Sequence, residues 1–120
     1  MEFDEAAVRC ALLDAWSLET ARQWLPDNPA AGQCNVTAVV VQDIFGGELL
    51  RTRLEGFESH HYYNHIGGRR IDLTDSQFDG PIPYDDEPTN SEAAMAFVTD
   101  DEYRILKREL ANHLANGSSR

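Results

Sequence analysis

The feature that most constrains the fold is the pair Gly67-Gly68, set between two runs that read as β-strands, residues 59 to 66 and 69 to 74. Two adjacent glycines supply the positive φ angles that a two-residue hairpin turn demands. A turn of that length fixes the register, pairing Ile66 with Arg69, Asn64 with Ile71 and Tyr63 with Asp72. Side chains alternate along each strand, so Tyr62, Ile66, Ile71 and Leu73 share one face with Asn64 and Arg69. That face is the expected core face. The opposite face collects His61, Tyr63, His65, Arg70, Asp72 and Thr74.

The remaining elements follow from periodicity and caps. Val8, Leu12 and Ala15 stand at helical spacing within a helix predicted from Phe3 to Trp16. Ser17 is a suitable cap for a second short helix running to Leu25, before Pro26. Asn28-Pro29 and Gly32 signal a loop leading to Cys34. The stretch from Asn35 to Phe45 is rich in valine, which favours a strand, but its length and its Gln42-Asp43 step favour a buried helix, stopped by Gly46-Gly47. A further strand is expected near residues 48 to 55. A loop from Phe78 to Asn90, with three prolines and four acids, leads to a last helix that opens on the capping box Thr99-Asp100-Asp101-Glu102. That helix shows Tyr103, Leu106, Leu110 and Leu114 on one face. The expected architecture is α+β: N-terminal helices, a cysteine-bearing central helix packed on a small antiparallel sheet, and a C-terminal helix. It is expected to form one domain over residues 1–115 with a disordered tail at 116–120.

Charge narrows the functions open to such a domain. With 21 acidic and 10 basic side chains the formal net charge is −11, a field that repels phosphate backbones and anionic lipid surfaces. The one local basic cluster is Arg69-Arg70, so nucleic acid is not an expected partner. No apolar run reaches membrane-spanning length, and Met1-Glu2-Phe3-Asp4-Glu5 lacks the basic start of a signal peptide. A cytoplasmic location is expected, where Cys10 and Cys34 remain reduced thiols. There is no Cys-x-x-Cys pair and no His-x-x-x-His on a helix, so no metal and no cofactor are called for.

The hairpin also brings together groups that can do chemistry. Asp72 lies across from Tyr63 and diagonally from both His61 and His65. A carboxylate beside an imidazole fixes its tautomer and stabilises the imidazolium, as acid-base work needs. Cys34, following a Gly-Gln step, falls at or near a helix N-terminus, where unpaired backbone N–H groups favour a thiolate and can bind an oxyanion. Cysteine, histidine and aspartate in that chain order suit acyl transfer through a thioester. The spacing leaves His61 and His65 as alternative bases. Cys10, inside the first helix, reads as a core residue.

Two resemblances sharpen this reading. Ala15-Trp16-Ser17-Leu18-Glu19-Thr20, Gly32-Gln33-Cys34, Thr37-Ala38, Val41-Gln42-Asp43, Phe45-Gly46-Gly47, His61-Tyr62-Tyr63-Asn64 and the run Asp72 to Phe78 resemble the bacterial YunG family of small proteins, which implies a relative but no activity. Residues 32 to 74 are more distantly similar to transglutaminase-like and papain-like cysteine enzymes. In that likeness Gly32-Gln33-Cys34 stands for the nucleophile segment, His61 for the base and Asp72 for the orienting acid. The likeness implies a Cys34, His61, Asp72 triad acting on an amide or ester of a small molecule or peptide. Gln33, directly before the cysteine, is placed to donate to an oxyanion. Tyr63 and Asn64, beside His61, are substrate-binding candidates. Two departures stand against the class: Tyr62-Tyr63 follow the histidine, and the span from Cys34 to His61 is short. The rival reading is a non-catalytic acidic module that docks on a basic protein through the Tyr62 to His65 strand or through Asp85, Asp86 and Glu87.

Overall fold

The hairpin register is realised: in the computed structural model, which describes residues 2–56 and 60–116, Ile66 pairs with Arg69 and Asn64 with Ile71. Gly67 and Gly68 adopt φ of 59° and 78°, the left-handed geometry that both central positions of a type I′ turn require. The strands are β1 (Glu48–Arg53), β2 (His60–Ile66), β3 (Arg69–Ile71) and β4 (Glu87–Thr89). They form an antiparallel sheet in the order β3-β2-β1-β4. The helices are α1 (Glu5–Ala15), α2 (Cys34–Phe45), α3 (Ser91–Met95) and α4 (Asp100–Ala115). The class is therefore α+β.

Helix α2 is the centre of the molecule. Its residues Cys34 and Val36 to Val41 are all buried, which is how a run of β-branched valines becomes a helix: tertiary burial on every side outweighs a propensity difference of at most about 0.7 kcal/mol per residue. One flank, with Val36, Val40 and Val41, packs with Val8, Ala11 and Leu12 of α1 and Leu106 and Leu110 of α4. The other, with Ala38 and Val39, packs on Leu49, Tyr62 and Ala94. Gly46 ends the helix, and Gly47 lets it turn onto β1, because a Cβ at Gly47 would stand 2.4 Å from the His65 carbonyl oxygen.

Helix α1 is capped by the Asp4 side chain, which accepts from the Ala7 N–H at 3.2 Å. Thr99 and Glu102 form the expected capping box on α4. The helix expected from Ser17 to Leu25 is absent; that segment is a chain of turns. The Thr20 hydroxyl accepts from the Ser17 N–H at 3.0 Å and lies 2.9 Å from Gln33 Oε1, so the side chains that favour a cap close a local turn instead. The loop expected from Phe78 to Asn90 contains β4, which pairs Pro88 with Leu50 at the sheet edge, the place where a strand tolerates proline. The strands expected at 48–55 and 69–74 are shorter, ending at Arg53 and Ile71. Ser59, the expected start of β2, and the expected tail beyond Asn116 lie outside the described residues.

Candidate active site

Both faces of β2 are covered. Tyr62 and Asn64 face α2, where Asn64 Nδ2 donates to the Ala38 carbonyl at 2.9 Å. The face holding His61 and Tyr63 lies under the returning segment from Phe78 to Asp86. Phe78 meets the His61 ring edge-on at 5.0 Å, and Tyr84 meets Tyr63 at 5.0 Å. His61 is consequently 0% exposed.

Within this enclosure His61 Nε2 lies 2.7 Å from Asp72 Oδ2. Asp72 sits just beyond the end of β3 and is held in place by several donors. Tyr84 donates its hydroxyl to Oδ2 at 2.8 Å, and the Thr74 N–H donates to Oδ1 at 3.2 Å. Arg9 of α1 donates to the Asp72 backbone carbonyl at 2.8 Å. The carboxylate is thus oriented before it meets the ring. Burial pushes the His61 pKa down, but the hydrogen bond it donates to Asp72, helped by that residue's charge and by the neighbouring Cys34, overcomes that and raises it to about 9. The ring is an imidazolium at neutral pH. With Nε2 committed to Asp72, Nδ1 is buried and has no hydrogen-bond partner among the protein atoms.

Cys34 is the first residue of α2 and is 6% exposed. Its thiol donates to Asn35 Oδ1 at 3.2 Å, while Asn35 Nδ2 donates to the Ala94 carbonyl at 3.0 Å and ties the pair to α3. The Gln33 side chain makes no capping bond to the helix, so the helix start retains backbone donors at the sulfur. Cys34 lines a cavity of about 310 Å³ together with Ala21, Val36, Gln77, Phe97 and Glu102, among others. That volume is at the lower end for a small-molecule site. Phe97, 69% exposed, stands at its rim.

The structure therefore pairs His61 with Asp72, with Cys34 near enough to act on the ring's pKa, and it leaves His65 apart from them on a half-buried stretch of β2. Three other candidates have their polar groups engaged elsewhere. Gln33 is fully buried, with Nε2 3.4 Å from the Ser17 carbonyl and Oε1 against Thr20. The Tyr63 hydroxyl donates to Asp86 Oδ1 at 2.9 Å. Asn64 is held by α2. The acids of the docking reading are engaged too: Asp86 with Arg70 at 2.6 Å, Asp85 with Thr52 at 3.0 Å, and Glu87 with Arg51 at 2.5 Å. Tyr84, Phe78 and Gln77 are the site residues that sequence reasoning missed. Gln77 and Phe78 close the Asp72 to Phe78 run, a signal for the segment but not for the role. Among the described residues no three His, Cys, Asp or Glu side chains are placed to hold a metal ion, and no helix is long and apolar enough to cross a membrane.

Comparison with known proteins finds one family. A family model described as YunG protein matches residues 4–115. The chain is 37% identical over 107 residues to the uncharacterised protein YunG of Bacillus subtilis (strain 168), covering 89% of this chain and 91% of that protein. No solved structure matches significantly.

Proposed function

The chain belongs to the YunG family, and from the chemistry of its own residues we propose that it is a cysteine hydrolase or acyltransferase of papain-like type. The observation that carries this reading is the 2.7 Å contact between a fully buried His61 and Asp72, with the Cys34 sulfur as the ring's other neighbour and a cavity open at that sulfur. A buried imidazole held protonated by a carboxylate is the counter-ion a thiolate needs. In this role Cys34 attacks the carbonyl carbon of an amide or ester in a small molecule or peptide. His61 protonates the leaving group, and Asp72 keeps the ring oriented and stabilises its charge. The thioester then passes its acyl group to water or to another nucleophile. The reaction belongs in the cytoplasm, a setting consistent with both cysteines being free.

The test is alkylation by iodoacetamide between pH 6 and 9, with adducts mapped by mass spectrometry and Cys10 as an internal reference. Cys34 is expected to label rapidly well below about pH 8, where an ordinary thiol is largely un-ionised, and His61→Gln is expected to slow it. Labelling of Cys34 only above about pH 8, at the rate of an ordinary thiol, would contradict the reading.

A further inference from the structure

One residue that lines the cavity carries a buried donor with no protein partner. Gln77 lies in the short 3₁₀ turn Asp75–Gln77 and lines the same cavity as Cys34. Its Oε1 accepts the Gly32 N–H at 3.3 Å, and its backbone carbonyl accepts from Asn28 Nδ2 at 3.3 Å. These two bonds anchor the residue and settle the sense of its amide, since the end facing the Gly32 N–H must be oxygen. Nε2 is then the opposite end, and it is buried with no hydrogen-bond partner among the protein atoms. Leaving a buried amide N–H unsatisfied costs about 1–3 kcal/mol, and such a group in a folded protein calls for an explanation.

We propose that Gln77 supplies the side-chain half of an oxyanion hole, donating from Nε2 to the carbonyl oxygen of the group attacked by Cys34, a role that rests on the cysteine-acylation reading above. The residue that precedes the nucleophile, Gln33, has its own amide engaged with Ser17 and Thr20, so the donor falls to another residue, Gln77, that lines the cavity. Attack of the sulfur lone pair on the carbonyl carbon forms the C–S bond and moves the C=O π pair onto oxygen. Gln77 and the backbone N–H groups at the start of α2 stabilise that negative oxygen. When the pair returns, the bond to the leaving nitrogen or oxygen breaks, the leaving group takes the proton from His61, and a thioester remains. Attack by water or another nucleophile, its proton going back to His61, builds the same oxyanion a second time. Gln77 therefore acts in both halves of the reaction.

The experiment compares two reactions of one sulfur. Acylation by p-nitrophenyl acetate passes through a tetrahedral oxyanion, whereas alkylation by iodoacetamide displaces iodide at a saturated carbon and builds none. In a Cys10→Ser background, Gln77→Met removes the donor at similar length, and Gln77→Glu keeps an oxygen for the Gly32 N–H while removing the donor. Both variants are expected to acylate at least about 10²-fold more slowly, with Gln77→Met alkylated within about twofold of the parent rate. If Gln77→Met melts normally and acylates at the parent rate, or if its acylation and alkylation fall together, the oxyanion role is overturned. If the parent protein acylates no faster than a free thiol, the reading of Cys34 itself fails and the role of Gln77 goes with it.

Discussion

Replacing Asp72 by Asn tests the buried pair through stability, with no substrate needed. The folded protein holds the His61 proton up to about pH 9, against an ordinary value of 6.5. Between those values His61 carries a proton in the folded state that it lacks in the unfolded state, so its own contribution to stability is fully present below about pH 6.5 and is lost as pH rises through about 9. At 1.36 kcal/mol per pH unit the difference is about 3 kcal/mol across that window. Burial pushes Tyr63 and Tyr84 above the usual phenol range, so their titration lies above the window. Urea denaturation between pH 6 and 9.5, followed through Trp16 and Trp24 fluorescence, measures the effect. The parent protein is expected to lose stability steadily as pH rises. Asp72→Asn removes the main group opposing burial, so its stability is expected to be flat over the same range. A parent curve that is flat or rising, or a variant that keeps the parent slope, would refute the assignment of an imidazolium held by Asp72.

Three further outcomes follow from the contacts around the site. Tyr84→Phe removes the 2.8 Å bond to Asp72 and is expected to cost about 1–2 kcal/mol, read as a lower urea midpoint at unchanged slope. Asn35→Asp places a negative charge where Oδ1 now accepts from the thiol at 3.2 Å; repulsion of the thiolate is expected to slow alkylation of Cys34 about tenfold, equivalent to about 1.4 kcal/mol. Trp16→Phe breaks the buried Nε1 to Thr37 Oγ1 bond of 2.9 Å and leaves the threonine hydroxyl without its donor, an expected loss of about 1–3 kcal/mol in thermal or urea unfolding.

The parts of this fold that could be read from the sequence are those governed by local rules. Gly67-Gly68 set the hairpin register, Thr99 and Glu102 marked the start of α4, and Gly46-Gly47 marked the end of α2. The helical state of α2 was legible because a run of that length with a polar Gln42-Asp43 step suits a buried helix better than a strand. What could not be read depends on partners distant along the chain. Ser17 looks like a cap, but Thr20, itself bonded to Gln33, draws it into a turn. β4 is three residues long and contains Pro88, so it has no alternation to detect and exists because β1 offers an edge. Tyr84 and Phe78 reach His61 and Asp72 only when the acidic loop folds back across the sheet, a path set by the bonds of Asp85 to Thr52 and of Asp86 to Tyr63 and Arg70.

That returning loop also determines where protons can travel. By roofing the strand face on which the imidazole lies, it cuts the ring off from bulk water. A proton on that ring is therefore stored apart from bulk solvent. The slow exchange of a ring N–H sheltered in this way would make it visible as a distinct low-field resonance, a direct spectroscopic handle on the stored proton.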